Sequence, residues 1–436
     1  MLEERPVADD LAFPPRMYQV ADPQVVAQGG RALLKRRIRA HVSRTVLLLG
    51  VTSMLTDISS EMVTTILPLY LVYSLGMSPL QFGVIDGIQQ GASSLVRVFG
   101  GFFADRRGRY KEVAVVGYGL SAFTRIALLV AGRSWSLIGG VIFLDRAGKG
   151  IRTAPRDALI SLSTPEEDLG TAFGVHRALD TAGAMIGPVI AFAVLYAAPH
   201  GFHSIFVLSF CFALVGLAVL VLFVENRPER VDDAPARPLG ARDVAALFAL
   251  PGFALLTCIG FALAVATTSD GFIYLGLQNK LDFAARNLPL LYIATSLVYM
   301  LLAVPVGRVA DRLGRSQVFI GGYLLLVVVY ASIVLPSIGA AGTVLVVVAL
   351  GTFYAATDGV LMALASGLLP AHARATGLSL LVTATSMGRL VASIAFGALW
   401  TLIGVHAAVI VFAVALTAIG AVSAIALTRS TRTRAA

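Results

Sequence analysis

Asp57 and Glu61 stand four residues apart in the stretch TDISSEM, so on a helix they share one face as two carboxyl groups able to take and give protons. A denser concentration of charge follows in DRAGKGIRTAPRDA, residues 145–158. There Asp145, Arg146, Lys149, Arg152, Arg156 and Asp157 come directly behind the apolar run WSLIGGVIFL. Asp86, Arg125, His176, Arg177, Asp180, Asp270, Asp358 and Arg389 are likewise set inside apolar runs. An ionisable group within hydrocarbon costs about 2.5–3.5 kcal/mol even on the mild insertion scale, so it persists when paired, hydrated or functional. The simplest arrangement is an acid and base network in which Asp57, Glu61, Asp86 and Asp180 supply carboxylates for the charges near Arg146.

The elements that must position these groups are long. The chain is 57% hydrophobic and only 14% charged, and its apolar residues come in blocks such as FVLSFCFALVGLAVLVLFV rather than in alternation. Such blocks approach the ~20 residues that a helix needs to cross a bilayer. Twelve spans are predicted, near 46–74, 79–103, 112–131, 135–160, 168–195, 203–224, 249–276, 287–307, 316–335, 342–368, 375–400 and 404–428. The expected fold is therefore an all-α integral membrane protein.

The formal charge of +9 is carried between the spans, which favours a topology signal over nucleic-acid binding. Clusters at 31–44, 106–111, 312–315 and 429–434 fall on one side, against Arg133, Lys280 and Arg286 on the other. By the positive-inside rule both termini are expected in the cytoplasm, for a multi-pass protein of the inner membrane. Residues 1–45 lack the layout of a secretory signal and read as a cytoplasmic tail, with 31–44 as a basic interfacial helix or an unstructured stretch. Cys211 and Cys258 offer no disulfide or metal spacing and are expected in the core.

The chain repeats itself. GFFADRRGR at 101–109 returns as GRVADRLGR at 307–315, pairing Gly101, Asp105, Arg106, Gly108 and Arg109 with Gly307, Asp311, Arg312, Gly314 and Arg315. Pro165, Thr171 and Gly183 find counterparts in Pro370, Thr376 and Gly388 at nearly the same offset. Two six-helix bundles follow, 46–224 and 249–428, joined by the charged, proline-rich linker 225–248 and ending in a short tail, 429–436. In each repeated loop the glycine permits a turn, and the aspartate at the end of its helix can meet a helix end or an arginine.

Two six-helix bundles with this loop after spans two and eight resemble the major facilitator superfamily over residues 46–428. That resemblance implies alternating access around a midplane site, with the duplicated loops as gate latches. Within the superfamily, drug–proton antiporters carry an arginine followed four residues later by glycine in span four, which Arg146 and Gly150 match. The resemblance gives Arg146 a role in steering protons, although Arg152 stands where that pattern has a small residue. Gly174, Gly183, Gly187 and Pro188 fit the antiporter motif of span five, while Ala191 and Phe192 replace its closing glycine pair. Packing alone would also use Gly183 and Gly187, a small-xxx-small pair.

The resemblance thus implies a proton-coupled secondary transporter that exports a small organic solute by antiport, complete as a monomer. Asp57, Glu61, Arg146 and Asp180 would couple protons, and Asp86, Arg152, His176, Asp270, Tyr274, Asp358 and Arg389 would face the substrate. Proton-linked uptake of an anionic solute, such as a siderophore or an organic acid, is the alternative favoured by the arginine-rich spans. An intramembrane enzyme using Asp57, Glu61 and His176 is a third reading, opposed by the duplicated gate loops. No cofactor is expected: AGKG around Lys149 lacks the Ser or Thr and the preceding strand of a phosphate loop. His176 and Asp180 lack the company a metal site needs and are expected as packed, hydrogen-bonded groups. Tyr70, Tyr73, Tyr274 and Tyr354 either line a cavity or mark interfaces.

Overall fold

A computed structural model describes residues 43–435 except 108, 166–167, 226–245, 282–283, 336–338 and 371–372, without side-chain detail at 98–107, 251, 285, 340, 375 and 430–435. The tail at 1–42 and most of the linker therefore lie outside the described residues, as does Gly108.

The first half runs through α1 (Arg44–Leu69), α2 (Pro79–Arg107), α3 (Tyr110–Val130), α4 (Trp135–Leu162), α5 (Leu169–Ala197) and α6 (Phe202–Phe223). Helices dominate because a lipid-embedded backbone can satisfy its own polar groups only within the segment. Capping hydroxyls add to this at the ends: Ser43 accepts from the amide of Val46, and Ser134 from that of Leu137. Helix α1 continues into a π-helical turn, Tyr70–Ser74.

The second half comprises α7 (Pro251–Val265), α8 (Asp270–Leu281), α9 (Leu288–Leu313), α10 (Arg315–Val334), α11 (Gly339–Ser366) and α12 (Arg374–Ala435). Helix α12 holds spans eleven and twelve, which part at Gly404, where φ is 82° and a side chain would be strained. It also runs through the region expected as a tail, 429–435.

Span seven departs from the single helix expected at 249–276. It breaks into α7 and α8 across ATTS, residues 266–269, and contains neither glycine nor proline at the break. The Tyr330 hydroxyl on α10 makes the break tolerable: it accepts from the Thr268 amide at 2.8 Å and donates to the Ala266 carbonyl at 3.0 Å. Thr267 donates back to the Leu263 carbonyl at 2.8 Å, completing the end of α7. Backbone groups freed within a membrane are thus met by a side chain on a neighbouring helix.

Among the described residues, nine stretches are long and apolar enough to cross a membrane by composition, with spans eleven and twelve counted as one. Helices α2 and α4, the carriers of Asp86 and of the charged 145–158 stretch, are absent from that group. Their positions as spans are set by packing: α2 and α3 both lie against α4, and α1 lies against α5 and α6. The second half repeats the plan, with Gly183 of α5 set against Met54 of α1 and its counterpart Gly388 set against Phe261 and Ala264 of α7. Between halves, α2 packs against α12 and α5 against α9, which are equivalent contacts under the sequence repeat.

Candidate functional site

Two different environments lie between and within the halves. The first is a closed seam between α2 and the span-eleven part of α12. Gly83, Gly87 and Gly91 recur every four residues on α2, and a Cβ on Gly87 would sit 2.9 Å from the Leu390 carbonyl oxygen. Gly397 faces Gly83 at the same crossing. Hydrogen bonds stitch the seam: Ser94 donates to Ser386 at 3.0 Å, the Leu80 amide to Thr401 at 3.0 Å, and Ser393 to Asp86 at 2.5 Å. Asp86 is therefore a buried seam residue, which corrects its expected place facing the substrate; it sits between Gly83 and Gly87 on the α2 face that meets α12, where Ser393 holds its carboxylate.

The second environment is a chain of three cavities. The largest, about 680 Å³, is walled by α1, α2, α4, α5 and α9 and lined by Asp57, Lys149, Arg152, Arg156, Arg177 and Asp180 among others. Arg177 and Tyr299 also line a second cavity, of about 360 Å³, together with Asp358 and Arg389. Arg389 in turn lines a third, of about 270 Å³, with Asp270, Tyr354 and the Thr267–Ser269 break of span seven. Shared lining residues, Arg177 and Tyr299 for the first two and Thr267 and Arg389 for the last two, set the three cavities side by side. The two larger volumes lie in the range of small-molecule sites, roughly 300–1,000 Å³.

The charged stretch of α4 divides along the helix rather than around it. Lys149, Arg152, Thr153 and Arg156 line the cavity, whereas Asp145 and Arg146, a turn earlier, are buried where Asp145 meets Arg125 of α3. Asp145 accepts from Arg125 at 2.8 Å and from Arg146 at 2.7 and 3.1 Å, so one buried carboxylate holds two guanidinium groups. Arg125 also donates to Ser60 of α1 at 2.9 Å. Arg146 thus takes its neighbour Asp145 as partner in place of Asp57, Glu61, Asp86 or Asp180, and the network runs through α3 rather than α2. Close approach permits it: a Cβ on Gly148 would lie 2.6 Å from the Gly117 carbonyl oxygen.

Arg152 sits 3.9 Å from Asp57, donates to Ser121 at 3.1 Å and stacks over the Tyr118 ring at 4.5 Å. Ser53 collects the Tyr118 hydroxyl and His176 Nε2, each at 3.1 Å, and accepts from Arg156 at 3.3 Å. His176 is buried and belongs to this hydrogen-bond cluster behind the cavity wall, as expected of a packed histidine and not of a substrate contact. No group of three or more metal-type ligands occurs among the described residues. Glu61 lies one turn along α1 from Asp57, with Gly187 of α5 packed on its Cβ.

In the second half, Tyr354 donates to Asp270 at 2.5 Å, and Arg389 reaches Asp358 at 3.5 Å across an open cavity. Tyr274 is fully buried, donating to Thr295 at 2.7 Å and packing edge-on against Tyr292, so it supports the helices instead of facing these cavities. Tyr70 is core against Phe202 and Phe206. Tyr73 lines an apolar pocket of about 220 Å³ at the end of α1 with Phe272 and Trp400. Cys211 and Cys258 are exposed, not core, because their helix faces turn away from the bundle.

The repeated loop is visible in the second half. Gly314 adopts φ 107°, and Arg315 doubles onto Asp311 at 2.8 and 2.9 Å while reaching the Ala363 carbonyl of α11 at 3.5 Å. Gly307 and Arg312 lie on α9 before that turn. Gly101, Asp105 and Arg106 are on the last turns of α2, and Arg109 is exposed at the start of α3. The antiporter-motif residues Gly183 and Gly187 make the close α1–α5 contact, with a Cβ on Gly187 lying 2.7 Å from the Ile58 carbonyl oxygen; Gly174 has open space, and Pro188 lies within α5.

Sequence reasoning passed over Lys149, Arg97 and Arg177 as site residues, although all three line the largest cavity. The 149–152–153–156 spacing was the available signal, since it places one polar stripe on α4.

Comparison with known proteins agrees with this architecture. The Major Facilitator Superfamily pattern matches residues 49–293 and 271–436. The chain belongs to the major facilitator superfamily. The transporter is 32% identical over 369 residues to an uncharacterised MFS-type transporter of Methanocaldococcus jannaschii, covering 83% of this chain and 89% of that one. It is 24% identical over 282 residues to the multidrug resistance protein MdtG of Enterobacter lignolyticus, covering 62% of this chain and 65% of that one. Among solved structures, the nucleoside transporter NupG superposes with a TM-score of 0.74 at 15% identity, over 87% of this chain and 99% of that chain. A bacterial homologue of the human lysosomal transporter Spinster, inward-facing and unoccupied, gives a TM-score of 0.71 at 14% identity, over 89% and 97%. These structural likenesses concern the fold: an all-helical membrane transporter of twelve spans in two bundles.

Proposed function

We propose that this transporter couples proton movement to the passage of a small organic solute by alternating access, and that it works as an exporter by antiport. The observation that carries the reading is the placement of Asp57 and Asp180 on the wall of a solute-sized cavity between the halves, beside Lys149 and Arg152. Carboxyls in that position are reached by both solute and protons, and loading one can be felt by the other. Asp57 and Glu61 serve as proton-accepting groups, with Asp180 in support, and Arg146 acts on them indirectly through Asp145. Asp270, Arg389 and Asp358 form the second-half wall of the same path. The halves 46–224 and 249–428 rock about the site as units, the α2–α12 seam closes one side, and the Asp311–Arg315 turn with its first-half counterpart latches the other. Both termini lie in the cytoplasm, the membrane is the inner one, and a monomer suffices. The span-five motif and the resemblance to a multidrug resistance protein support the outward direction.

A second reading, proton-linked uptake of an anionic solute, is favoured by one observation: Lys149 and Arg177 line the path without an ion-pair partner among the described residues.

The decisive experiment follows proton movement in everted vesicles energised by respiration while drugs, metal ions and organic anions are added. A compound that dissipates the gradient with the native chain but not with Asp57→Asn is the expected result. Unchanged dissipation in the variant would remove Asp57 from the coupling.

A further inference from the structure

The ionic inventory of the largest cavity does not balance. Five cationic side chains line it, Arg97, Lys149, Arg152, Arg156 and Arg177, against three carboxylates, Asp57, Asp157 and Asp180. Two of the carboxylates are engaged, Asp57 with Arg152 at 3.9 Å and Asp157 with Arg156 at 2.8 Å. That leaves Lys149, Arg97 and Arg177 facing Asp180 alone, a surplus of two positive charges. Counting the groups behind the wall changes nothing, because Arg125 and Arg146 are matched by Asp145 and Glu61.

Lys149 is the telling residue. It sits near the middle of a membrane-spanning helix, interacts electrostatically with Asp57 and Glu61, and lies beyond ion-pair distance of both. A structural lysine at that depth would be expected to close onto a carboxylate, as Arg125 and Arg146 close onto Asp145 a turn away. Keeping an ammonium there with no carboxylate in contact is costly unless something else supplies negative charge at contact distance. The same cavity is lined by apolar side chains as well, Ala184 and Met185 of α5 with Met300 and Ala303 of α9. The second-half cavities show no such surplus of their own, since Asp270 is held by Tyr354 and Asp358 by Arg389.

We infer that the solute of this transporter is an amphipathic organic anion, its carboxylate or other acid group held by Lys149 and Arg177 and its apolar body laid against Met185 and Met300. The inference rests on the transporter reading of the cavity and holds for either direction of flux. Cation and apolar wall together select against the lipophilic cations that a purely acidic cavity would draw in, by leaving their charge unpaired beside like charge.

Three fluorescent probes with one dansyl group test it: dansylglycine is anionic, dansylamide neutral and dansylcholine cationic. Titrated into the full chain in nanodiscs, dansylglycine is expected to bind more tightly than the other two by about tenfold or more. Lys149→Gln and Arg177→Gln should each weaken it by about tenfold or more, as loss of a desolvated charge partner does, while Lys149→Arg retains most of the affinity. Tighter binding of dansylcholine, indifference of dansylglycine to both Gln variants, or no binding of any probe would overturn the inference. The same probes in proteoliposomes separate the two layers. Carriage of dansylcholine would keep the transporter reading and sink the anion site; binding of dansylglycine through Lys149 without carriage would do the reverse.

Discussion

Asp145 in the first half and Asp358 in the second both face an arginine inside a six-helix bundle, yet the first pair is sealed and the second is wet. The Arg125 and Asp145 side chains are 1% and 3% exposed, whereas those of Arg389 and Asp358 are 40% and 46% exposed. One buried carboxylate tying α3 and α4 together, with Arg125 also reaching α1, is a structural joint. The open pair lines a cavity. The repeat accordingly shows in the helices and their contacts, while the ionisable residues diverged: the first half has a sealed joint besides the charges it presents to the cavity, and the Asp358–Arg389 pair of the second half stays exposed.

The largest expected effect tests that contrast directly. Arg125→Leu leaves Asp145 with half its compensation in a dry site and should cost about 3–5 kcal/mol of unfolding free energy in an SDS titration. Arg389→Leu should cost about 1 kcal/mol or less in the same titration. Equal losses would erase the distinction between joint and wall.

An intermediate effect is expected at the joint that the second half uses instead. Tyr330→Phe removes the hydroxyl bridging Ala266 and Thr268 and leaves two buried backbone groups without a partner, a loss of about 1–3 kcal/mol. The readout is the same titration, with hydrogen exchange across 262–272 to locate the change. Unaltered exchange there would mean that the broken span is held by packing alone.

The smallest effect is expected at the repeated loop. Asp311 and Arg315 form an exposed pair one turn apart, so Asp311→Asn should change stability by roughly 0.5 kcal/mol or less. A stability loss comparable to that of Arg125→Leu would make the turn a structural joint and contradict the latch role proposed for it.

Much of this was legible in the residues. Twelve apolar blocks, a repeated loop and matched glycines led to two bundles because crossing a bilayer demands length, composition and internally bonded backbone, all properties of a segment. The break in span seven was not legible, since ATTS carries no helix breaker and its partner, Tyr330, comes from another helix. Arg146 was expected to seek a carboxylate on a neighbouring span and found Asp145 beside it; Asp86 was expected in the cavity and turned into the seam. Cys211 and Cys258 show the same limit, for an apolar helix hides no clue about which face meets lipid.

The sequence by itself determined that the chain crosses the membrane in twelve helices, that its halves are related, and that charge lies at depths where it must be accounted for. Only the tertiary structure decided which charges cancel. Pairing depends on rotation and close approach of helices, set by contacts such as Gly148 on Gly117, to within a fraction of a turn that no single segment encodes. Where the neighbouring helices close in, Asp145 and Arg146 are buried; one turn along the same helix Lys149 lines the cavity.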